Sequence, residues 1–254
     1  ALHDVADRPV STVAATSPVS ARPGHLIDVL PVGIELDLAG VVHGVRRVRL
    51  VGGVRHVDGT VVDVRYSSDH PSQIVAAAVG LLAAVAQGGD HLPVERARIV
   101  RRAPSSSRDA APVSRELTVA GDDPGRRAAA AREALSALVD LALRVRSGPA
   151  PLLPRAAWSI DATSDVTLPP SGTLKADVER DLSDAALQVV LGVGSLAELA
   201  AQEDGPLEDG LPDAPTPVQR WSLALCESLR RPFALPIEHA AEVADPGALP
   251  GGAP

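Results

Sequence analysis

The chain has 254 residues, of which 45% are hydrophobic but only 2% aromatic, and its formal net charge is −8. This length allows a sizeable core, which Val, Leu and Ala must build because large aromatic side chains are so few. A single cysteine, Cys226, excludes an internal disulfide and a CxxC metal motif. The longest apolar run, residues 74–86, is shorter than the ~20 residues that span a bilayer. We therefore expect a soluble, cytoplasmic protein without a membrane partner.

The first part of the chain predicts a lead-in followed by strands. In residues 1–24, Ser, Thr and Pro are scattered among Ala and Val, which favours a short, weak helix and then an extended linker. Residues 25–67 alternate between apolar and polar positions, and the Asp58-Gly59 dipeptide is a strong hairpin signal. We expect three to four antiparallel strands here. Because the chain has no initiator Met, we expect either a processed product or a piece of a longer chain. The lack of a signal peptide favours a cytoplasmic location.

The middle of the chain predicts a helix between strands. The apolar run at 74–86 follows a proline and ends at Gly88-Gly89, as a buried helix would. Residues 94–102 alternate like one more strand. We interpret residues 104–116 as a polar loop and residues 117–121 as a final edge strand.

The clearest helix spans residues 122–148. Asp122 or Asp123 caps it and Gly148 ends it, and five apolar side chains form one stripe: Leu135, Leu138, Val139, Ala142 and Val145. Residues 174–201 are predicted to be helical with a break near Gly192 and Gly194. An acidic, proline-rich loop, a last helix at 218–231 and a tail that frays beyond Asp245 follow.

These patterns predict an α/β protein with a small mixed, largely antiparallel sheet flanked by helices. We divide it into a linker (1–24), an α/β core (25–166) and a helical C-terminal extension (167–254). From Lys175 onward the chain has 5 basic and 14 acidic residues, so this part is expected to repel nucleic acid.

Several short motifs occur in an order that resembles the C-terminal domain of RecC, the gamma subunit of exodeoxyribonuclease V. They are LAGVV at 38–42, VRYS at 64–67, ARIVR at 97–101, ALVDLALRVRSGPAPLLPRAAW at 137–158, DLSDAALQVVLG at 181–192 and RWSLALCESLRRPFALPIE at 220–238. The chain departs from the family in two segments where a large aromatic residue is usual, the helix at 73–84 and the stretch LRRPF at 229–233. The resemblance implies a fold related to the PD-(D/E)XK nucleases.

The same resemblance implies that the nuclease site is lost. An active member holds Mg²⁺ with two acids and places a lysine two residues after the second acid. Here His43 stands at the first acid, and Arg65, Tyr66 and Ser67 replace the second acid, the spacer and the lysine. A one-residue shift offers Asp63 as the acid, with Arg65 in the lysine position, but an arginine is a poor substitute for that lysine. We expect no catalytic residue, no metal and no cofactor.

Basic side chains on the predicted hairpin are candidates for DNA contact: Arg46, Arg47, Arg49, Arg55 and Arg65. Arg47 and Arg49 share one strand face, while Arg46 points to the other. Two interpretations remain open, an ordinary solvated face and a surface that follows backbone phosphates. A second group has the same two interpretations: Arg96, Arg98, Arg101 and Arg102.

The resemblance implies a non-catalytic domain of a RecBCD-type helicase–nuclease that acts in double-strand break repair and homologous recombination. Its expected partners are DNA and the helicase and nuclease subunits, and its expected roles are DNA channelling, recognition of a regulatory sequence and subunit docking. One alternative is a stand-alone interaction domain that has lost DNA binding. Another is a metal-dependent nuclease with a relocated acid, such as Glu35 or Asp37.

Overall fold

The computed structural model describes twelve stretches of the chain. They are residues 27–42, 45–65, 74–88, 94–101, 113–148, 150–161, 163–166, 170–184, 191–192, 195–202, 210–233 and 242–243. The helix and linker expected in residues 1–24, and the tail expected beyond Asp245, lie outside these residues.

A long antiparallel hairpin begins the sheet, formed by β1 (Asp28–Val42) and β2 (Val45–Val57). Alternation of apolar and polar residues gives β1 one buried face, which consists of Val32, Ile34, Leu36 and Leu38. A tight turn then leads to β3 (Thr60–Arg65). Asp58 and Gly59 in this turn both have positive φ, 47° and 73°, as a type I′ turn requires. The predicted hairpin turn is confirmed.

A helical crossover follows the three strands. Helix α1 (Val75–Gln87) is buried on most of its surface and leads to β4 (Arg96–Arg101), which runs parallel to β3. A parallel neighbour needs such a connection because the chain must return to the same end of the sheet. Strand β5 (Val113–Thr118) then pairs antiparallel with β4.

The complete sheet has its strands in the order β1 to β6, and the short β6 (Glu242–Val243) pairs with β5. The predicted α/β class, with a mixed and largely antiparallel sheet, is confirmed. One boundary was wrong, because residues 113–116 belong to β5 and not to a loop. Glu116 pairs with Arg98 of β4, and the next residue, Leu117, is buried on the opposite face of the sheet.

The rest of the described chain is helical. Helix α2 (Pro124–Ser147) is followed by a 3₁₀-helix (Ala156–Ser159), α3 (Gly172–Leu182), α4 (Leu196–Ala200) and α5 (Pro217–Arg230). The carboxylate of Asp123 accepts a hydrogen bond of 2.9 Å from the backbone N–H of Arg126, which confirms an aspartate as the cap of α2.

The predicted apolar stripe of α2 is only half right. Leu135 is buried, but Ala142 and Val145 are exposed, whereas Leu141 and Arg144 are buried. The first half of α2 packs against the sheet, while Leu141 packs with Trp221 of α5. The buried side of the helix therefore changes along its length, because its partner changes.

Two main clusters of buried side chains hold the fold. The first core joins the sheet, α1 and α2, and it also contains Trp158, Cys226 and Phe233. The second core lies among α3, α4 and the segment around the 3₁₀-helix, and its members include Leu153, Ile160, Val178, Leu199 and Val218. Helix α5 contributes to both cores, so it links them. Cys226 is fully buried in α5.

Candidate functional site

Three of the candidate DNA-contacting arginines, Arg47, Arg49 and Arg55, lie on the solvent side of the β1–β2 hairpin. We call this side the outer face; it consists of residues 29, 31, 33, 35 and 37 of β1 and residues 47, 49, 51, 53 and 55 of β2, all of which are exposed. Arg46 points to the other side, as the alternation of strand side chains predicts. The hairpin therefore presents a row of three guanidinium groups to solvent.

Carboxylates on β1 lie beside two of these arginines. Asp37 pairs with Arg47 across the strands, and its Oδ1 accepts a hydrogen bond of 2.8 Å from Nε of Arg47. This hydrogen bond, with the negative charges of Asp37 and Glu35, raises the pKa of Arg47 above its ordinary value. Glu35 is the cross-strand partner of Arg49. The outer face thus carries three positive and two negative charges, a balance of +1.

The second arginine group is also divided. Arg96 and Arg98 lie on the same side of β4, and Arg98 Nη2 is 2.6 Å from Oε1 of Glu116 on β5. Arg96 Nη1 is 3.9 Å from the other oxygen of that carboxylate. Arg101 is buried on the opposite face of the sheet, and Arg102 lies outside the described residues. The carboxylate of Glu116 therefore lies beside both the exposed Arg96 and the partly buried Arg98.

Asp63, the acid of the shifted nuclease alignment, lies half-buried on the helix-covered face of β3. Val61, two residues earlier on the same face, packs beside Gly80 of α1. In the register of the sheet, Asp63 pairs with Ile99 of β4, and Ile99 pairs with Arg115 of β5. An apolar residue and then a basic residue are thus the cross-strand neighbours of this carboxylate in β4 and β5.

The next position along these strands is basic as well. Arg65 ends β3 and pairs in register with Arg101, whose side chain is 8% exposed on the helix-covered face. Within the part of the chain that the structure describes, no group of three or more His, Cys, Asp or Glu residues is arranged to hold a metal ion. His43 and Ser67, the other two degenerate nuclease positions, lie outside the described residues.

A buried carboxylate that the sequence analysis missed lies on α3. Asp181 Oδ2 accepts hydrogen bonds from the backbone N–H groups of Arg155, at 2.8 Å, and Ala156, at 3.0 Å, so it caps the 3₁₀-helix. Burial raises the pKa of Asp181 above its ordinary value; the two hydrogen bonds oppose this shift, and the charge of Asp177 one turn earlier adds to it. The only sign of this site in the sequence is that Asp177 and Asp181 are four residues apart, which places both on the side of α3 that carries Val178.

A buried glutamine, also missed, holds a loop against α5. Gln219 is 2% exposed, and its Nε2 donates hydrogen bonds to the carbonyl oxygens of Asp161, at 3.1 Å, and Ser164, at 2.9 Å. Hydrogen bonds from Thr163 and Ser164 to the Asp161 carboxylate lower the pKa of Asp161. These polar groups order the segment that joins the two cores.

The fold and the arginine positions define an α/β domain with charge-paired arginines on an exposed hairpin and with Asp63 on the helix-covered face of β3. A family model described as the RecC C-terminal domain matches residues 6–164, more than half of the chain. The chain therefore belongs to the RecC C-terminal domain family. Searches of curated proteins and of solved structures find no significant match. Among the described residues, none of the helices has both the length and the apolarity that crossing a membrane demands.

Proposed function

We propose that this chain is a non-catalytic domain of a RecBCD-type helicase–nuclease in the cytoplasm, where it docks other subunits and borders the path of DNA during break repair and recombination. Membership of the RecC C-terminal domain family supports a place in a RecBCD-type complex. The observation that carries the non-catalytic role is the environment of Asp63. Its cross-strand partner in β4 is Ile99, and the partner of Ile99 in β5 is Arg115. Mg²⁺ prefers an octahedral set of oxygen ligands, and the basic residues Arg101 and Arg115 on the same face of the sheet oppose a further positive charge there.

The strand topology supports descent from a nuclease-like fold. Strands β1 to β3, the following helix and β4 occur in the order of hairpin, helix and strand that the resemblance implies, which favours this descent. The relocated-acid alternative has less support. Glu35 and Asp37 lie on the outer face, whereas Asp63 lies on the helix-covered face, so the sheet itself separates them.

A nuclease assay tests the non-catalytic assignment. The purified chain, incubated with linear DNA and either Mg²⁺ or Mn²⁺, should leave the DNA intact at every enzyme-to-DNA ratio. The Asp63→Ala variant should behave in the same way, because Asp63 holds no reactive metal in this proposal. Cleavage that requires the divalent ion and disappears in Asp63→Ala would show that the site is active.

The outer face supports a limited contact with DNA. Arg47 and Asp37 are 65% and 78% exposed, so water screens their ion pair and a phosphate could replace the carboxylate. The net charge of +1 on this face supports weak, salt-sensitive binding, and the acids on β1 favour the rival role of a protein-interaction domain without DNA.

Binding measured against salt concentration distinguishes the two roles. In the DNA-path role, the Arg47→Ala/Arg49→Ala double variant should weaken binding and reduce the salt slope by about 2, one for each lost phosphate contact. Arg126→Ala is the matched control, because Arg126 is an exposed, ion-paired arginine on α2, away from the hairpin. Undetectable binding by the unmodified chain at low salt would favour the interaction domain.

A further inference from the structure

Among the described residues, no helix or strand packs on the outer face of the β1–β2 hairpin, and this exposed sheet surface has an unusual composition. Toward one end it carries the charged pairs, and toward the other it carries Val29, 60% exposed, and Val51, 45% exposed, with Arg55 opposite Val29. An antiparallel sheet normally faces water with polar residues, whereas exposed apolar residues next to a charged rim are typical of protein interfaces. This half of the outer face is therefore suited to contact with another protein surface.

The residues next to Val29 and Val51 on the outer face have small side chains, so this half of the face is nearly flat. Gly33 pairs with Val51, and Gly53 pairs with Pro31, so the positions between the valines have little or no side chain. A methyl group at Gly53 would lie 2.8 Å from Cγ1 of Val29, which shows how closely the valine leans over the glycine. Glycine inside a strand often marks a place where another backbone approaches closely.

The register makes the outer face complementary to itself. A two-fold axis parallel to the strands and midway between β1 and β2 would place β1 of one copy over β2 of the other. Each residue would then face, in the second copy, the residue with which it pairs in its own hairpin. Glu35 would face Arg49, Asp37 would face Arg47, and Gly33 would face Val51, while Val29 would face Arg55. The carboxylates of one copy would then lie opposite the guanidinium groups of the other, and the Val51 side chain would lie over the space left by Gly33.

The area of the outer face limits how strongly two copies can associate. Five positions on each of two strands cover about 30 Å by about 10 Å. Such a contact falls below the ~1,200 Å² that a standard interface buries, so the association should be weak and concentration-dependent.

We infer that two copies of this chain associate through the outer faces of their β1–β2 hairpins. This association is independent of the nuclease assignment, because it does not involve Asp63. It uses the same arginines as the proposed DNA contact, so DNA and a second copy would compete for the outer face, and Val51 distinguishes the two. Its occupant is a second copy because the acidic strand and the basic strand of the same hairpin supply both halves of the charge match.

Sedimentation of the whole chain over a concentration range from about 1 to about 300 µM tests this inference. The weight-average mass should rise toward that of a dimer, with a Kd of about 10–100 µM. Val51→Glu should weaken the association at least ~10-fold, because it buries a carboxylate beside Glu35 of the other copy. Val145→Glu is the matched control, since Val145 is 43% exposed on α2, and it should leave the association unchanged.

Charge reversal provides the second variant. Arg49→Glu alone should weaken the association ~10-fold, and adding Glu35→Arg should restore it to within ~3-fold, because the pair is then exchanged in both copies. Circular dichroism confirms that each variant is folded. A monomer at every concentration overturns the inference, as does a dimer that Val51→Glu leaves intact. A monomer whose binding to a helicase subunit depends on Val51 also overturns it, because a different partner then covers the face.

Discussion

The sheet region and the C-terminal helical region are stabilised in different ways. In the first core, strands and helices meet through aliphatic side chains, and α1 contributes mainly alanines and leucines. The second core is also aliphatic, but the segment that joins it to the first is ordered by buried polar groups, above all Asp181 and Gln219. Apolar burial is non-directional, whereas hydrogen bonds fix one geometry. The sheet region should therefore be sensitive to lost volume, and the junction should be sensitive to lost partners.

The largest effect is expected from a cavity in the sheet region. Leu36→Ala should lower the free energy of unfolding by about 2–5 kcal/mol, because Leu36 is 1% exposed in the first core. Val29→Ala, in the same strand but 60% exposed, should change it by less than about 0.5 kcal/mol. Denaturant titration measures both. A loss below ~1 kcal/mol for Leu36→Ala would mean that this core is loosely packed.

An intermediate effect, dependent on pH, is expected at the junction. The pKa of Asp181 in the folded chain is raised above 3.8, so the folded state holds the proton more tightly than the unfolded state does. The contribution of Asp181 to stability is therefore present below pH 3.8 and is lost as the pH rises through the folded pKa. Relative to Asp181→Asn, the unmodified chain should become less stable as the pH rises across this window.

Asp161 provides a control of opposite sign for that experiment. Its pKa is lowered in the folded chain, so its contribution is present above pH 3.8 and is lost as the pH falls through the folded pKa. Relative to Asp161→Asn, the unmodified chain should become less stable on acidification. Thermal unfolding measured at a series of pH values gives both differences. The same sign for both aspartates would contradict these assignments.

The smallest effect is a gain of stability in the sheet region. Gly80 lies inside α1, and a methyl group there would make ordinary contacts of 3.7 Å with Val61 and 3.9 Å with Val54. Gly80→Ala should therefore raise the free energy of unfolding by about 0.5–1 kcal/mol through helix propensity. Gly88→Ala is the contrasting variant, because Gly88 has φ +57° and a side chain there is strained. A stabilising Gly88→Ala would contradict this account.

The extent to which the sequence predicts each region follows from the same difference. The strands, the Asp58-Gly59 turn and the capped helix α2 have periodic or local signals, so the architecture of the sheet region could be predicted. The burial of Asp181 and Gln219 could not, because their partners lie 26 and up to 58 residues away in the chain. Cross-strand register was missing too. Without it, Arg47 and Arg49 gave no sign that Asp37 and Glu35 lie beside them.

The position of Cys226 gives the molecule a natural reporter of opening. Its thiol is fully buried in α5 and donates a hydrogen bond to the carbonyl oxygen of Ala157 at 3.3 Å, where the C-terminal helix meets the sheet region. A thiol reagent can reach the sulfur only when that seam separates, so its modification rate measures how often the two halves part. Because the chain contains a single cysteine, the signal comes from one place.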